Sequence, residues 1–476
     1  MSSSVSGGSM SAARSEQFTG LIRAIHAQAG RFERLALLWM STGMSVAGTR
    51  ASFAALNAVT GNGQAWDHII ARQSALCLQY AESCASLAKR LSFLGDQVSR
   101  AHGLYSQAEE TTRTVLSRMV RIAGAVNPTA PIAATLGLAT IGAIRGLATD
   151  GKITTTDFLS SSAALHEATT ASAADSIMGT RILTASTGLG MVSAAARSLA
   201  MLTSRINNLI QGDTLTLTSV TPSQEVALPS ETISDVLENL RRLSQERLGR
   251  TDLDSGLSYA TIAIQQYVNS SGERTWLVLI PGTDGQPDSP FGWEQNLEAM
   301  SASGDQRARA DSVRMVVEAM RQAGIEKMDS VILAGHSQGG IVAASVAADM
   351  SNSFTIDHII TAGSPIANHP IPSSTLVTGI EMEDELVASL DGRSNPNGSN
   401  QITIRGRSIK GSTDAGTQVE GAHSGEITHW LNYHQAAYAD ALSWGSPQVL
   451  EHESNVSGLL SGGLVSTTYW QGRMGR

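Results

Sequence analysis

Residues 330–350 read SVILAGHSQGGIVAASVAADM. The run Ser330 to Ala334 (SVILA) has the continuous apolar character of a buried strand, and Ile341 to Met350 (IVAASVAADM) that of a helix built from small residues. Between them stands the pentapeptide Gly335-His336-Ser337-Gln338-Gly339. A serine on a tight strand-to-helix turn takes up strained backbone angles, so residues two places to either side must be small. Gly335 and Gly339 meet that need. The pattern G-x-S-x-G is common by itself; the strand before it and the helix after it give it meaning.

Working outward, Tyr259 to Val268 (YATIAIQQYV) alternates at period two, Ser270-Ser271-Gly272 supplies a turn, and Thr275 to Ile280 (TWLVLI) reads as a fully buried strand. Val313, Val316, Val317 and Met320 mark a helix closed by Gly324, and His358 to Ala362, Leu376 to Met382 and Gln401 to Arg405 give three further strands. Upstream, the strand-like run Thr214 to Thr218 leads through a linker with Pro222 and Pro229 to an amphipathic helix that sets Ile233, Val236, Leu237, Leu240 and Leu243 on one face. Strands alternating with helices imply an α/β domain with a largely parallel sheet, whose reactive groups gather at its C-terminal edge.

A serine hydroxyl needs a hydrogen-bonded base, and the base needs an orienting carboxylate. In a sheet of this kind the partners follow in the order serine, acid, histidine, each in a loop after a strand. Asp384, directly after the strand ending at Met382, is the expected acid and Asp391 the second choice. Asp357 and the neighbours Glu383 and Glu385 stand behind them, the two glutamates read as solvated loop-edge residues. His434, at the start of what reads as the last amphipathic helix, is the expected base, with His429 and His423 competing. His336, beside the serine, points elsewhere from the turn and reads as a packing residue. The oxyanion of a tetrahedral intermediate needs two preset N–H donors. Gln338 supplies the first, and Thr283, in the turn Pro281-Gly282-Thr283-Asp284, the second.

Composition bounds the rest. A chain of 476 residues with 42% hydrophobic and 16% charged residues supports two or three cores rather than disorder. A net charge of -9 argues against a phosphate backbone as partner, so no nucleic acid is expected. Cys77 and Cys84 fall two turns apart on one helix, too far to bridge, and read as small apolar core residues. The first residues lack the apolar stretch of a secretory signal. The longest charge-free run, Ile122 to Ile144, is broken by Asn127, Pro128 and Pro131 and reads as a packed helix rather than a membrane span.

The N-terminal part reads as long helices. Phe18, Leu21, Ile22 and Ile25 open the first, which runs through Phe32, Leu35 and Leu38 to Trp39, with a break allowed at Thr42-Gly43. The second carries a seam of steps of three and four from Cys77 through Tyr80, Cys84, Leu87, Leu91 and Leu94 to Val115, the 3.5-residue period of a helix packed along another. The expected domains are a long helical hairpin at 1–125, an Ala- and Gly-rich helical region at 126–213, the α/β domain at 214–450 and a C-terminal tail at 451–476.

The region from about Thr214 to Asp440 resembles the α/β-hydrolase superfamily in its lipase and esterase branch. The resemblance rests on GHSQGG, the strand leading to Pro281-Gly282-Thr283, the Gly363-Ser364-Pro365 step, and Asp384 and His434 in order. It implies an α/β-hydrolase fold and a Ser337, His434, Asp384 triad that forms an acyl-enzyme on an acyl-ester or lipid substrate, with no metal or organic cofactor. Candidate covers are Gln286 to Gln295 and Asp391 to Gly425. The N-terminal segment resembles the helical hairpins of type VII (ESX, WXG-type) secretion substrates. Tyr105-Ser106-Gln107-Ala108-Glu109 is similar to their Y-x-x-x-D/E signal, while Trp39-Met40-Ser41 departs from W-x-G. That resemblance implies a secreted or cell-surface protein exported without a signal peptide, the alternative being a cytoplasmic one. It also implies a helical-hairpin partner or the secretion machinery as partner, with peripheral contact at a membrane. Together these give a serine carboxylic-ester hydrolase carrying a helical module; the competing readings are a secreted phospholipase-type effector and a catalytically silent helical interaction protein.

Overall fold

The computed structural model describes residues 2–8, 12–60, 64–101, 211–251, 253–301, 303–383, 385, 387–391, 393–407 and 428–476. These fall into two compact units, Met10–His102 and a second that combines Met1–Ser9 with the chain from Gly103 onward. The expected region 126–213 and the Tyr105 motif lie outside the described residues, save for the last three positions of the former.

The helical unit is an antiparallel hairpin of α1 (Ala12–Thr60) and α2 (Gln64–Ala101). Its contact face differs from the expected seam. Ile22, Ala29 and Ala36 of α1 and Cys77, Ala81 and Ala88 of α2 are buried, whereas Tyr80, Leu87 and Leu94 are exposed. Apart from Ile22, the side chains that pack are small ones, which let two helix backbones approach closely. The helices come close at Gly43, where a Cβ would lie 3.1 Å from that of Cys77 and whose carbonyl accepts from Ser74 Oγ at 3.0 Å. Gly43 is therefore a contact inside a continuous helix and not the break expected there. Cys77 and Cys84 are free, the first buried and the second half-buried.

The second unit is built on one nine-stranded sheet, in the order β1-β8-β7-β6-β5-β4-β3-β9-β2. Its strands are β1 (Ser2–Gly7), β2 (Thr214–Val220), β3 (Thr261–Val268), β4 (Arg274–Ile280), β5 (Ser330–His336), β6 (Thr355–Ala362), β7 (Leu376–Met382), β8 (Gln401–Arg407) and β9 (Gly463–Gly475). Strands β4 to β8 run parallel, and β1, β3, β9 and β2 join antiparallel to their neighbours. Both flanks differ from the expected domain limits. The stretch 451–476, expected as a tail, contributes β9 between β3 and β2, and the first residues supply β1 at the far edge.

Alternation along the parallel strands sends side chains to two cores. Trp276, Val278, Ile280, Val331 and Leu333 meet α6 (Asp311–Gln322) and α7 (Gln338–Asp349) on one face. Leu277, Leu279, Ile332, Ala334 and Ile360 meet α3 (Ile233–Glu246), α8 (Leu431–Ser443) and α9 (Pro447–Leu459) on the other. The face expected of α3 is the one that is buried, and a Thr232/Asp235 capping box starts the helix. Two short helices, α4 (Trp293–Ala299) and α5 (Gly304–Arg307), connect β4 to α6. Among the described residues no helix is long and apolar enough to cross a membrane.

Candidate active site

Ser337 sits between β5 and α7 with φ 55° and ψ −121°, a backbone state that a residue with a Cβ rarely adopts. Its amide donates to the Ala362 carbonyl at 2.9 Å, tying the end of β5 to that of β6. The flanking glycines are required by space: a Cβ on Gly335 would overlap the backbone of Gly339, and one on Gly339 would overlap the Ile280 carbonyl. The turn after β4 lies against the same point, since a Cβ on Gly282 would stand 3.1 Å from that of Ser337. Thr283 Oγ1 donates to Gln338 Oε1 at 3.2 Å, and Gln338 Nε2 donates to the Gly292 carbonyl at 3.0 Å. The Gln338 amide opens α7, where helix geometry leaves N–H groups without an intrahelical acceptor.

This turn is held from below by Arg247, which is 3% exposed. Its guanidinium donates to Asp284 Oδ2 at 3.0 Å and to the Gly282 carbonyl at 2.5 Å. Asp284 Oδ2 also accepts from the Ala260 amide and from Ser289 Oγ, both at 2.9 Å. Burial pulls the guanidinium down to about 10 against the opposing pull of Asp284, so Arg247 stays charged at neutral pH.

Across the sheet edge, Glu385 lies in the turn after β7, its amide donating to the Met382 carbonyl at 3.2 Å. The side chain is buried and engages two imidazoles: His429 Nδ1 at 2.8 Å from Oε1 and His434 Nε2 at 2.9 Å from Oε2. Burial alone would raise this carboxyl; the two histidines, His434 foremost, outweigh it and hold it well below the usual carboxylate range. His429 precedes α8 and is partly exposed, with its ring centroid 4.8 Å from that of His336, the neighbour of Ser337. With Nδ1 on the carboxylate, Nε2 is left as the basic nitrogen. His336 Nε2 donates to the His429 carbonyl at 2.8 Å; burial first, then His429 and His434, push His336 well below its ordinary value, so it stays neutral. Gly363, at φ 59°, makes room for all three groups: a Cβ there would lie 2.5 Å from Glu385 Oε1, 2.9 Å from His434 Nε2 and 3.0 Å from His429 Nδ1.

The expected residues therefore scatter. Ser337, Gln338 and Thr283 come together. Asp384 and His423 lie outside the described residues. Asp391 is buried and accepts from the Ala367 amide at 2.8 Å, a loop-fastening role. His434, expected as the base, has no exposed surface, and both of its ring nitrogens are taken up, by Glu385 and by the Trp430 carbonyl. Glu385, expected at a solvated loop edge, is buried. A signal for His434 was present in the sequence: Leu431, His434, Ala437, Tyr438 and Ala441 fall at helical spacing on the inward face of α8. His429 stands just ahead of that helix. Of the expected covers, Gln286 to Gln295 is fastened down, with Phe291 fully buried and Tyr259 bonded to Asp288; part of the other, 391–425, lies outside the described residues.

Residues 294–414 match the family model of the PGAP1-like alpha/beta domain, a stretch that takes in the elbow and strands β5 to β8. The domain is α/β-hydrolase-like. No curated protein and no solved structure matches the chain. Within this hydrolase-like domain the serine turn, the imidazoles and the buried carboxylate occupy the C-terminal edge of the parallel strands, where a sheet of this topology collects its reactive groups.

Proposed function

We propose that this protein is a serine hydrolase of carboxylic esters, with Ser337 as nucleophile, His429 as general base and Glu385 as the carboxylate that orients it. The observation that carries the reading is the Glu385 to His429 Nδ1 bond beside a strained Ser337 elbow. Ser337 Oγ attacks the ester carbonyl as His429 Nε2 takes its proton. The Thr283 and Gln338 amides receive the oxyanion; the alcohol leaves with the proton from His429, and water releases the acyl group by the same steps in reverse. Fluorophosphonate labelling, together with hydrolysis of p-nitrophenyl esters of short and long chains, tests this. Both activities should vanish in Ser337→Ala and in His429→Ala, and labelling that survives Ser337→Ala would sink the assignment. The chain-length profile separates an esterase from a lipase or a phospholipase-type effector.

We assign the helical unit to partner docking, with a helical-hairpin partner or secretion machinery as its counterpart and export as its purpose. Leu37, Leu38 and Met44 on α1 and Leu78, Tyr80 and Phe93 on α2 are all exposed large apolar side chains, which supports the docking role. Comparing the culture medium with cell extracts for the full chain and for a chain lacking the hairpin tests the export reading.

A further inference from the structure

His434 lies on the first turn of α8 with no exposed surface. Both ring nitrogens face acceptors: Nε2 is 2.9 Å from Glu385 Oε2, and Nδ1 is 3.1 Å from the Trp430 carbonyl. A carbonyl oxygen cannot donate, so Nδ1 carries a proton. A neutral imidazole has one N–H, and Nε2 would then oppose the carboxylate lone pair to lone pair unless a second proton lies between them. Glu385 also accepts from His429 on its other oxygen and is held in the ionised form, so the second proton belongs to His434.

We propose, resting on the hydrolase reading above, that His434 is a positioning residue: a buried imidazolium that clamps Oε2 of Glu385, turns Oε1 to His429 Nδ1, and offsets the carboxylate charge felt by His429. Three titratable groups face it: Glu385 from the turn after β7, His429 from the loop before α8, and His336 from the end of β5, whose ring centroid is 5.9 Å away. Arg250 stacks on the ring of Trp430, 5.1 Å from its centroid. Charged groups on the elements packed around α8 are engaged elsewhere: Glu381 with Arg405, Glu383 with Arg407, Glu238 with Arg241 and Gln435, Asp235 with Thr232, Arg242 with the Glu225 carbonyl, Glu246 with Ser255, Glu453 with Tyr438, and Asp440 with Ser3.

The consequence is electrostatic. A lone buried carboxylate would overstabilise the protonated His429, and a base already holding its proton cannot take one from Ser337. The His434 charge spreads the carboxylate's field between two imidazoles, so less of that field acts on His429. Replacing His434 by glutamine keeps one donor for Glu385 and removes the charge. The acid limb of the kcat/KM profile should then move to higher pH by about one unit, the size of effect one nearby charge produces. An active H434Q enzyme whose acid limb stays in place would overturn the proposal. Neutron diffraction from wild-type crystals near neutral pH needs no variant and should show deuterium on both ring nitrogens of His434. A single deuterium there would overturn the proposal even if H434Q fails to fold. If wild type hydrolyses no ester, the hydrolase reading falls, while the diffraction result still decides the charge of His434.

Discussion

At the scale of single residues, the decisive choice is which carboxylate orients the base. Glu385→Gln leaves a neutral group on His429 Nδ1 and should lower kcat/KM by about 10³- to 10⁴-fold, the loss usual when a triad acid becomes an amide. Asp384→Asn should stay within a few-fold of wild type, and p-nitrophenyl ester kinetics on the two variants decide between them. The same carboxyl has a stability consequence. Its folded value lies below the ordinary 4.5, so its contribution is fully present above that pH and is lost as pH falls toward the lowered value. The Tm gap between wild type and E385Q should be wide at pH 7 and narrow toward pH 3. Gly363→Ala should remove activity while the sheet stays folded, because its Cβ would crowd Glu385 and both histidines together. Chain order made the serine, an acidic loop and a histidine region legible in the sequence. Which member of Glu383-Asp384-Glu385 faces inward was not, because a turn of one or two residues decides it and period-based patterning carries no information there. His434 also stands in the expected order, but its helical spacing puts it on the inward face of α8, which chain order alone does not reveal.

At the scale of elements, the turn between β4 and α4 depends on a buried ion pair. Arg247 and Asp284 have side chains 2% and 0% exposed, and Arg247 also holds the Gly282 carbonyl whose neighbour, Thr283, is the proposed oxyanion donor. Arg247→Met leaves Asp284 charged, buried and short of its partner, which should cost about 3–5 kcal/mol in denaturant unfolding. Pairing it with Asp284→Leu should recover much of that stability, since no orphaned charge remains. It should not recover kcat, because the Gly282 carbonyl still lacks its donor; a double variant with full kcat would remove Arg247 from the positioning role. The strands of this region were legible, as continuous apolar runs or strict alternation mark buried strands. The hairpin seam was legible in period but not in face. A 3.5-residue repeat runs through the row Tyr80, Leu87, Leu94 and equally through the row Ala81, Ala88, Gly95, and close backbone approach selects the second.

At the scale of the molecule, the helical unit is an insertion into the chain of the hydrolase-like unit, not a domain placed ahead of it. Strand β1 precedes the hairpin in sequence yet pairs along β8, from Ser2 opposite Arg407 to Gly7 opposite Ile402. Val5 is 2% exposed and belongs to the same core as Ile402 and Ile404, and Ser3 Oγ donates to Asp440 Oδ2 on α8 at 2.7 Å. Helix α8 follows closely after His429 and carries His434, so the edge strand and the proposed base share a support. Removing residues 1–8 would uncover the β8 edge, a row of unpaired backbone groups beside apolar side chains, and such edges recruit other chains. The truncated protein should melt at a lower temperature, aggregate on heating and lose ester turnover, although no residue near Ser337 has been touched. Replacing residues 10–102 by a short Gly- and Ser-rich linker, with residues 1–9 kept, should leave turnover of a soluble ester within a few-fold of wild type, since β1 can still reach its place. The comparison reads directly whether the first strand belongs to the hydrolase-like unit: if turnover and melting temperature survive both deletions, β1 is dispensable and the chain is divided at the hairpin.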